Sequence, residues 1–188
     1  PQVFVGCAQV VGRERRRAGG QNLRGASREV LLEAAAREDA GESAVVLDEP
    51  VNMSTYGELP ILNALDSLKP SSKTTFTAVG YGLQKAFPDA ASWKEQALRI
   101  RMVANPHLIQ INTGFVGDFS IMLSNNRHTG GTCFGDSGGP NFIGTSNVLG
   151  GVTSYGLNSN CAGTGGVYRV DRADDLEWLN GTFGAHLQ

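Results

Sequence analysis

An all-β fold of antiparallel barrel strands is predicted for this 188-residue chain by two features. From residue 44 onward, short apolar runs are separated by Gly, Asn and Pro, the punctuation of strands that reverse every few residues. Where a run is half exposed, apolar and polar side chains alternate, as Leu98, Ile100 and Met102 do with the intervening arginines.

In chain order the predicted strands are 44–47, 75–82, 98–104, 108–112, 119–123, 148–155 and 165–170. Residues 53–72 are polar and proline-punctuated, the signature of a connection, and residues 90–96 (AASWKEQ) read as a short helical turn with Trp93 as a packing residue. Residues 13–37 depart from this pattern. They hold seven of the twelve arginines and no lysine, and no aromatic residue lies between Gly12 and Val51. Alternation is absent until Val45, and residues 28–37 (REVLLEAAAR) are strong helix formers that read locally as a helix.

Composition bounds the function. Sixteen basic against 18 acidic residues leave a net charge of −2, which implies neither a nucleic-acid nor an anionic-membrane partner. No apolar run approaches the roughly 18 residues of a membrane span. The chain opens at Pro1 without an initiator Met, as a processed form or fragment does, so the lack of a targeting segment says nothing about export. No His/Cys/Asp cluster has metal-ligand spacing, and no cofactor is implied.

The most informative segment is Gly135-Asp136-Ser137-Gly138-Gly139-Pro140. A nucleophilic serine needs a sharp turn that exposes its hydroxyl beside converging backbone N–H groups. Glycines on both sides permit that turn and let a substrate carbonyl approach the main chain. The alternative is a plain glycine-rich β-turn in a chain with 25 glycines, but six specified residues in a row favour the catalytic loop.

With this hexapeptide the chain resembles the trypsin/chymotrypsin-like serine proteases, of the bacterial trypsin-like type. The resemblance runs from about residue 44 to residue 179. Gly80-Tyr81-Gly82 is similar to the motif that opens the family's second barrel, Ser154-Tyr155-Gly156 to its substrate-binding strand, Gly166-Val167-Tyr168 to the strand closing the specificity pocket, and residues 171–179 to its C-terminal helix. The resemblance implies two six-stranded antiparallel barrels and a C-terminal helix, the first barrel incomplete. Residues 1–70 would carry the remnant of that barrel and the connection, with 6–43 anomalous, and residues 71–188 the second barrel.

The resemblance also implies residue roles. Ser137 is the nucleophile, the amides of Gly135 and Ser137 form the oxyanion hole, and Asp136 locks the loop, which in the family it does by pairing with a freed N-terminus. Cys133 and Cys161 form a disulfide, leaving Cys7 unpaired. Where family members carry a second bridge, Phe76 and Ile143 stand here, and an apolar contact is expected. Gly131, Thr132, Ser154, Tyr155, Gly156 and Gly166 bind substrate. With Gly131 at the pocket base and no carboxylate, the pocket would favour Phe, Tyr, Leu or Met over Arg or Lys.

Two triad members are missing. His107, His128 and His186 all lie on the wrong side of the chain for the family's histidine, and Gly41 occupies the aspartate position, with Asp39 two residues away. One reading is a serine endopeptidase, secreted and monomeric, acting on protein or peptide substrates and crippled as written. The other is a non-catalytic binding or regulatory protein on the same fold.

The degenerate codons of Val5–Gln9, read one base later, can spell Ser-Ala-Ala-His followed by Lys or Arg. A frame slip near Val5, reversed before Ala44, would therefore remove the histidine and aspartate and create Cys7. Sequencing the coding DNA for residues 1–50 is expected to reveal a compensating pair of insertions or deletions; an uninterrupted single frame would sink this reading.

Overall fold

The computed structural model describes residues 3–7, 31–37, 42–47, 51–84 and 100–184. The N-terminal part contributes an antiparallel sheet of order β1–β3–β2, comprising β1 (Val3–Cys7), β2 (Leu31–Arg37) and β3 (Glu42–Leu47). This corrects the helical reading of residues 28–37, whose described part is a strand. Helix propensity is a weak local preference. β3, rich in β-branched residues, offers a full edge of backbone hydrogen bonds, and β2 takes it with Ala35 opposite Ala44 and Arg37 opposite Glu42.

The C-terminal part is a closed barrel. Its strands are β4 (Ser71–Gly80), β5 (Met102–Ala104), β6 (His107–Ile111), β7 (Ser120–Asn125), β8 (Pro140–Ile143), β9 (Leu149–Gly156) and β10 (Gly163–Arg169). Neighbours run β4–β6–β7–β10–β9–β8, and β8 returns to β4 to close a six-stranded antiparallel ring, with β5 as a further strand on β4. Closure leaves these six strands no free edge within the ring.

Each predicted strand from residue 44 onward overlaps an observed one, with two differences. Residues 100 and 101 lie outside β5, and β8 was not predicted because the glycine-rich serine turn before it and the Gly144–Asn147 turn after it leave only four residues. The predicted turn at 90–96 and Trp93 lie outside the described residues. The C-terminal helix α1 spans Ala173–Phe183, starting two residues later than predicted and running four further; Asp174 and Asp175 in its first turn complement its dipole. Leu179 and Phe183 of α1 pack against Ala44 and Val46 of β3, joining the two parts.

Phe76 and Ile143 are directly opposed on β4 and β8, and Phe76 is buried among Leu65, Leu108, Ile121, Leu123 and Val167, with Ile143 packed on the same cluster. The apolar contact expected there is present.

A buried arginine ties the connection to the barrel. Arg169, fully buried at the end of β10, donates from Nε and Nη2 to the two carboxylate oxygens of Asp171 at 2.8 Å each. It also donates from Nη2 to Asp66 at 2.7 Å and from Nη1 to the Asn112 carbonyl at 2.6 Å. Asp171 in turn accepts the Leu65 amide at 2.9 Å. The Arg169 hydrogen bond holds the Asp66 carboxyl below its usual 3.8, against a smaller upward push from burial. A lowered folded pKa stabilises above the unfolded value and loses that contribution as pH falls through the folded one. Arg169→Met, which leaves Asp171 buried and unpaired, is expected to cost about 3–5 kcal/mol in chemical denaturation. It should also flatten the acid limb of the stability profile below pH ~4 to the extent that Asp66 shapes it.

Candidate active site

The hexapeptide forms the turn between Cys133 and β8, and its backbone needs the glycines: Gly135 and Gly138 have φ of +94° and +81°, where a side chain would be strained. Asp136 anchors this turn. Its Oδ1 accepts the Gly82 amide at 2.7 Å and its Oδ2 the Cys133 amide at 2.9 Å, while its own N–H donates to the Cys133 carbonyl at 3.1 Å. A Cβ on Gly82 would lie 2.6 Å from the Asp136 carboxyl carbon, and one on Gly80 would collide with the same group. The Gly80-Tyr81-Gly82 motif is thus the seat for Asp136. Gly138 donates to the Thr153 carbonyl at 2.8 Å and Thr153 donates to the Gly139 carbonyl at 2.9 Å, which fixes the exit of the turn to β9. The expected Cys133–Cys161 disulfide is formed, with Cα atoms 5.4 Å apart.

Ser137 is exposed at the apex. Among the described residues nothing hydrogen-bonds its hydroxyl, and the Gly135 and Ser137 amides have no protein acceptor. The side chain borders a cavity of about 270 Å³ whose lining includes Thr132, Ser154, Tyr155, Gly156 and the disulfide. Sequence reasoning missed Phe134, Thr153 and Thr164, which also line it; the first two flank residues already singled out, and Thr164 lies two positions before Gly166.

Two of the six substrate-binding candidates are not in this cavity. Gly166 is covered by the Tyr155 ring, with which a Cβ would collide; that ring is held by a 3.0 Å hydrogen bond to Ser120 and an edge-to-face contact with Phe115 at 6.0 Å. Gly131 lines a second cavity of about 170 Å³ behind the turn, with Gly80, Gly82 and Asp136. Its Cβ direction is filled by Asn125, which donates to the Thr132 carbonyl at 2.7 Å.

The described histidines sit away from Ser137's cavity. His107 starts β6, its amide donating to Ser124 at 3.0 Å, and His128 stands in an exposed turn, accepting from Arg127 at 3.1 Å. His186, Asp39, Gly41 and the arginines of residues 13–28 lie outside the described residues. Asp118 pairs with Arg172 at 3.3 Å and Asp171 with Arg169, so neither serves the cavity.

The closed barrel and the serine turn define the trypsin-like serine protease fold. The family model described as Trypsin matches residues 8–176, and the chain belongs to that family. Among solved structures, the chain is similar to human heparin binding protein at atomic resolution, with TM-score 0.61 and 18% identity over 83% of this chain and 67% of that one. A double mutant of human heparin binding protein (CAP37) matches with TM-score 0.57 and 21% identity over 76% of this chain and 57% of that one. The chain therefore spans little more than half the length of that structure, and at these identities the likeness is one of fold. Comparison with curated proteins finds no match.

Asp136→Ala, which leaves two amides without their charged acceptor, is expected to cost about 2–3 kcal/mol in thermal denaturation. Replacing Cys133 and Cys161 together by Ser should cost about 3–4 kcal/mol, the closure entropy of a loop of this size.

Proposed function

We propose that the chain is a secreted serine endopeptidase by descent, acylated at Ser137 and slow for want of a general base. The observation that carries this reading is the exposed serine hydroxyl on a turn locked from three sides, at the mouth of a cavity with no charged group among its described lining residues. In hydrolysis, Ser137 Oγ attacks the scissile carbonyl while its proton passes to water, and the amides of Gly135 and Ser137 receive the oxyanion. The C–N bond then breaks, the amine leaves protonated, and water hydrolyses the ester. An oxyanion hole and binding alone sustain roughly 10³–10⁴-fold catalysis over water, orders of magnitude below an intact triad.

Protein or peptide segments are the substrates, no cofactor or metal is required, and the protein acts as a monomer without nucleic-acid or membrane partners. Residues 1–70 serve as the remnant of a first barrel and its connection, and residues 71–188 as the catalytic barrel. The second reading, a binding or regulatory protein without turnover, is favoured by one fact: neither described histidine lines the cavity.

A fluorophosphonate probe discriminates the two. Labelling is expected at Ser137 alone, lost in Ser137→Ala, about 10³-fold or more slower than for a protease with its triad, and faster as pH rises. A rate equal to that of an intact protease would show that a base is in place. Complete absence of labelling would leave the binding reading.

A further inference from the structure

We propose that the cavity beside Ser137 takes an uncharged side chain ending in a carboxamide, glutamine or asparagine, recognised by the hydroxyls of Thr132, Thr153 and Thr164. The inference rests on the reading above in one respect: it places the residue before the scissile bond in the cavity that Ser137 borders.

Charge is excluded first. Among the described residues, no Asp, Glu, Lys, Arg or His lines the cavity. Asp136 faces the second cavity, and both its oxygens accept backbone amides. A guanidinium, ammonium or carboxylate would lose water there and gain no counter-charge.

What the lining does offer is hydroxyl groups. Thr132, Ser137, Thr153, Ser154 and Thr164 all border the cavity. Among the described residues, the hydroxyls of Thr132, Ser154 and Thr164 have no hydrogen-bond partner. Thr132 Oγ1 sits against Gly165, where a Cβ would approach it to 2.9 Å, so the missing side chain leaves this hydroxyl its place. Thr153 is 95% buried and accepts at 3.0 Å from Nδ2 of Asn141, a fully buried residue whose Oδ1 has no partner. With its oxygen engaged by Asn141, Thr153 keeps an O–H proton for which no acceptor is found among the described residues. A polar pair inside a barrel wall with bonding capacity to spare points to a ligand group that uses it.

An apolar side chain would gain contact with Phe134, Tyr155 and the disulfide but would leave these hydroxyls without a partner. A carboxamide brings one acceptor and two donors, and hydroxyls answer both. The preference for Phe, Tyr, Leu or Met expected from sequence rested on Gly131, Gly156 and Gly166, of which Gly156 alone lines this cavity.

The test is equilibrium binding of acetyl-tetrapeptide carboxylates that differ only in a C-terminal Gln, Phe, Leu, Arg or Glu, followed by NMR shifts of the purified chain. The Gln peptide is expected to bind about tenfold or more tighter than each of the others. Thr132→Val and Thr153→Val should each collapse the Gln-to-Phe ratio, and Thr132→Ser should keep it. Phe or Leu binding as tightly as Gln in the unaltered chain overturns the proposal, as does a ratio unmoved in a folded valine variant. If the valine variants do not fold, the ratio in the unaltered chain decides. The measurement needs no turnover, so unlabelled Ser137 would defeat the catalytic reading and leave this comparison standing.

Discussion

The carboxylate of Asp136 is the constraint on which the site depends. It joins two stretches of chain far apart in sequence, the segment just after β4 at Gly82 and the entry to the serine turn at Cys133. Once both oxygens are occupied by amides, the next residue has little choice but to project outward. The positive φ values at Gly135 and Gly138 are the backbone's share of that arrangement, and the glycines at 80 and 82 are the barrel's. In the family this aspartate answers to a freed N-terminus; here two amides of the same barrel already hold it.

Support for that turn comes from structures that are themselves closed. β8, which follows the turn directly, closes the ring onto β4, so the exit of the turn cannot drift without opening the barrel. The disulfide fixes the other side. Arg169 performs a comparable task at the opposite end of β10, drawing Asp171, Asp66 and Asn112 together and pinning the connection that precedes β4. Fully buried, such a guanidinium is tolerated because four hydrogen bonds replace its water.

Much of this was legible in the residues, for local reasons. Six of the seven barrel strands were foreseen because turn residues bound them and alternation marks their faces. The serine turn announced itself through glycine spacing, and the Phe76–Ile143 contact through the position of two residues in a resemblance. β2 was not legible, since its alanines and leucines favour a helix until β3 supplies an edge. The cavity was partly legible: of the six residues singled out, Thr132, Ser154, Tyr155 and Gly156 line it, while Gly131 and Gly166 do not.

The sequence by itself, with the resemblance it carries, determined the class of fold, the serine turn, the disulfide pairing, and the absence of the family's histidine from its place. Each depends on a local pattern of turn and strand residues or on motifs matched along the chain. Tertiary structure alone decided which way the walls of the cavity face. Tyr155 lies over Gly166 because Ser120 and Phe115, 35 and 40 residues earlier, hold its ring, and Asn125 at the end of β7 fills the space beside Gly131. Those are contacts between segments apart in the chain, and their sum sets the chemistry of the cavity in a way that no spacing along the chain records.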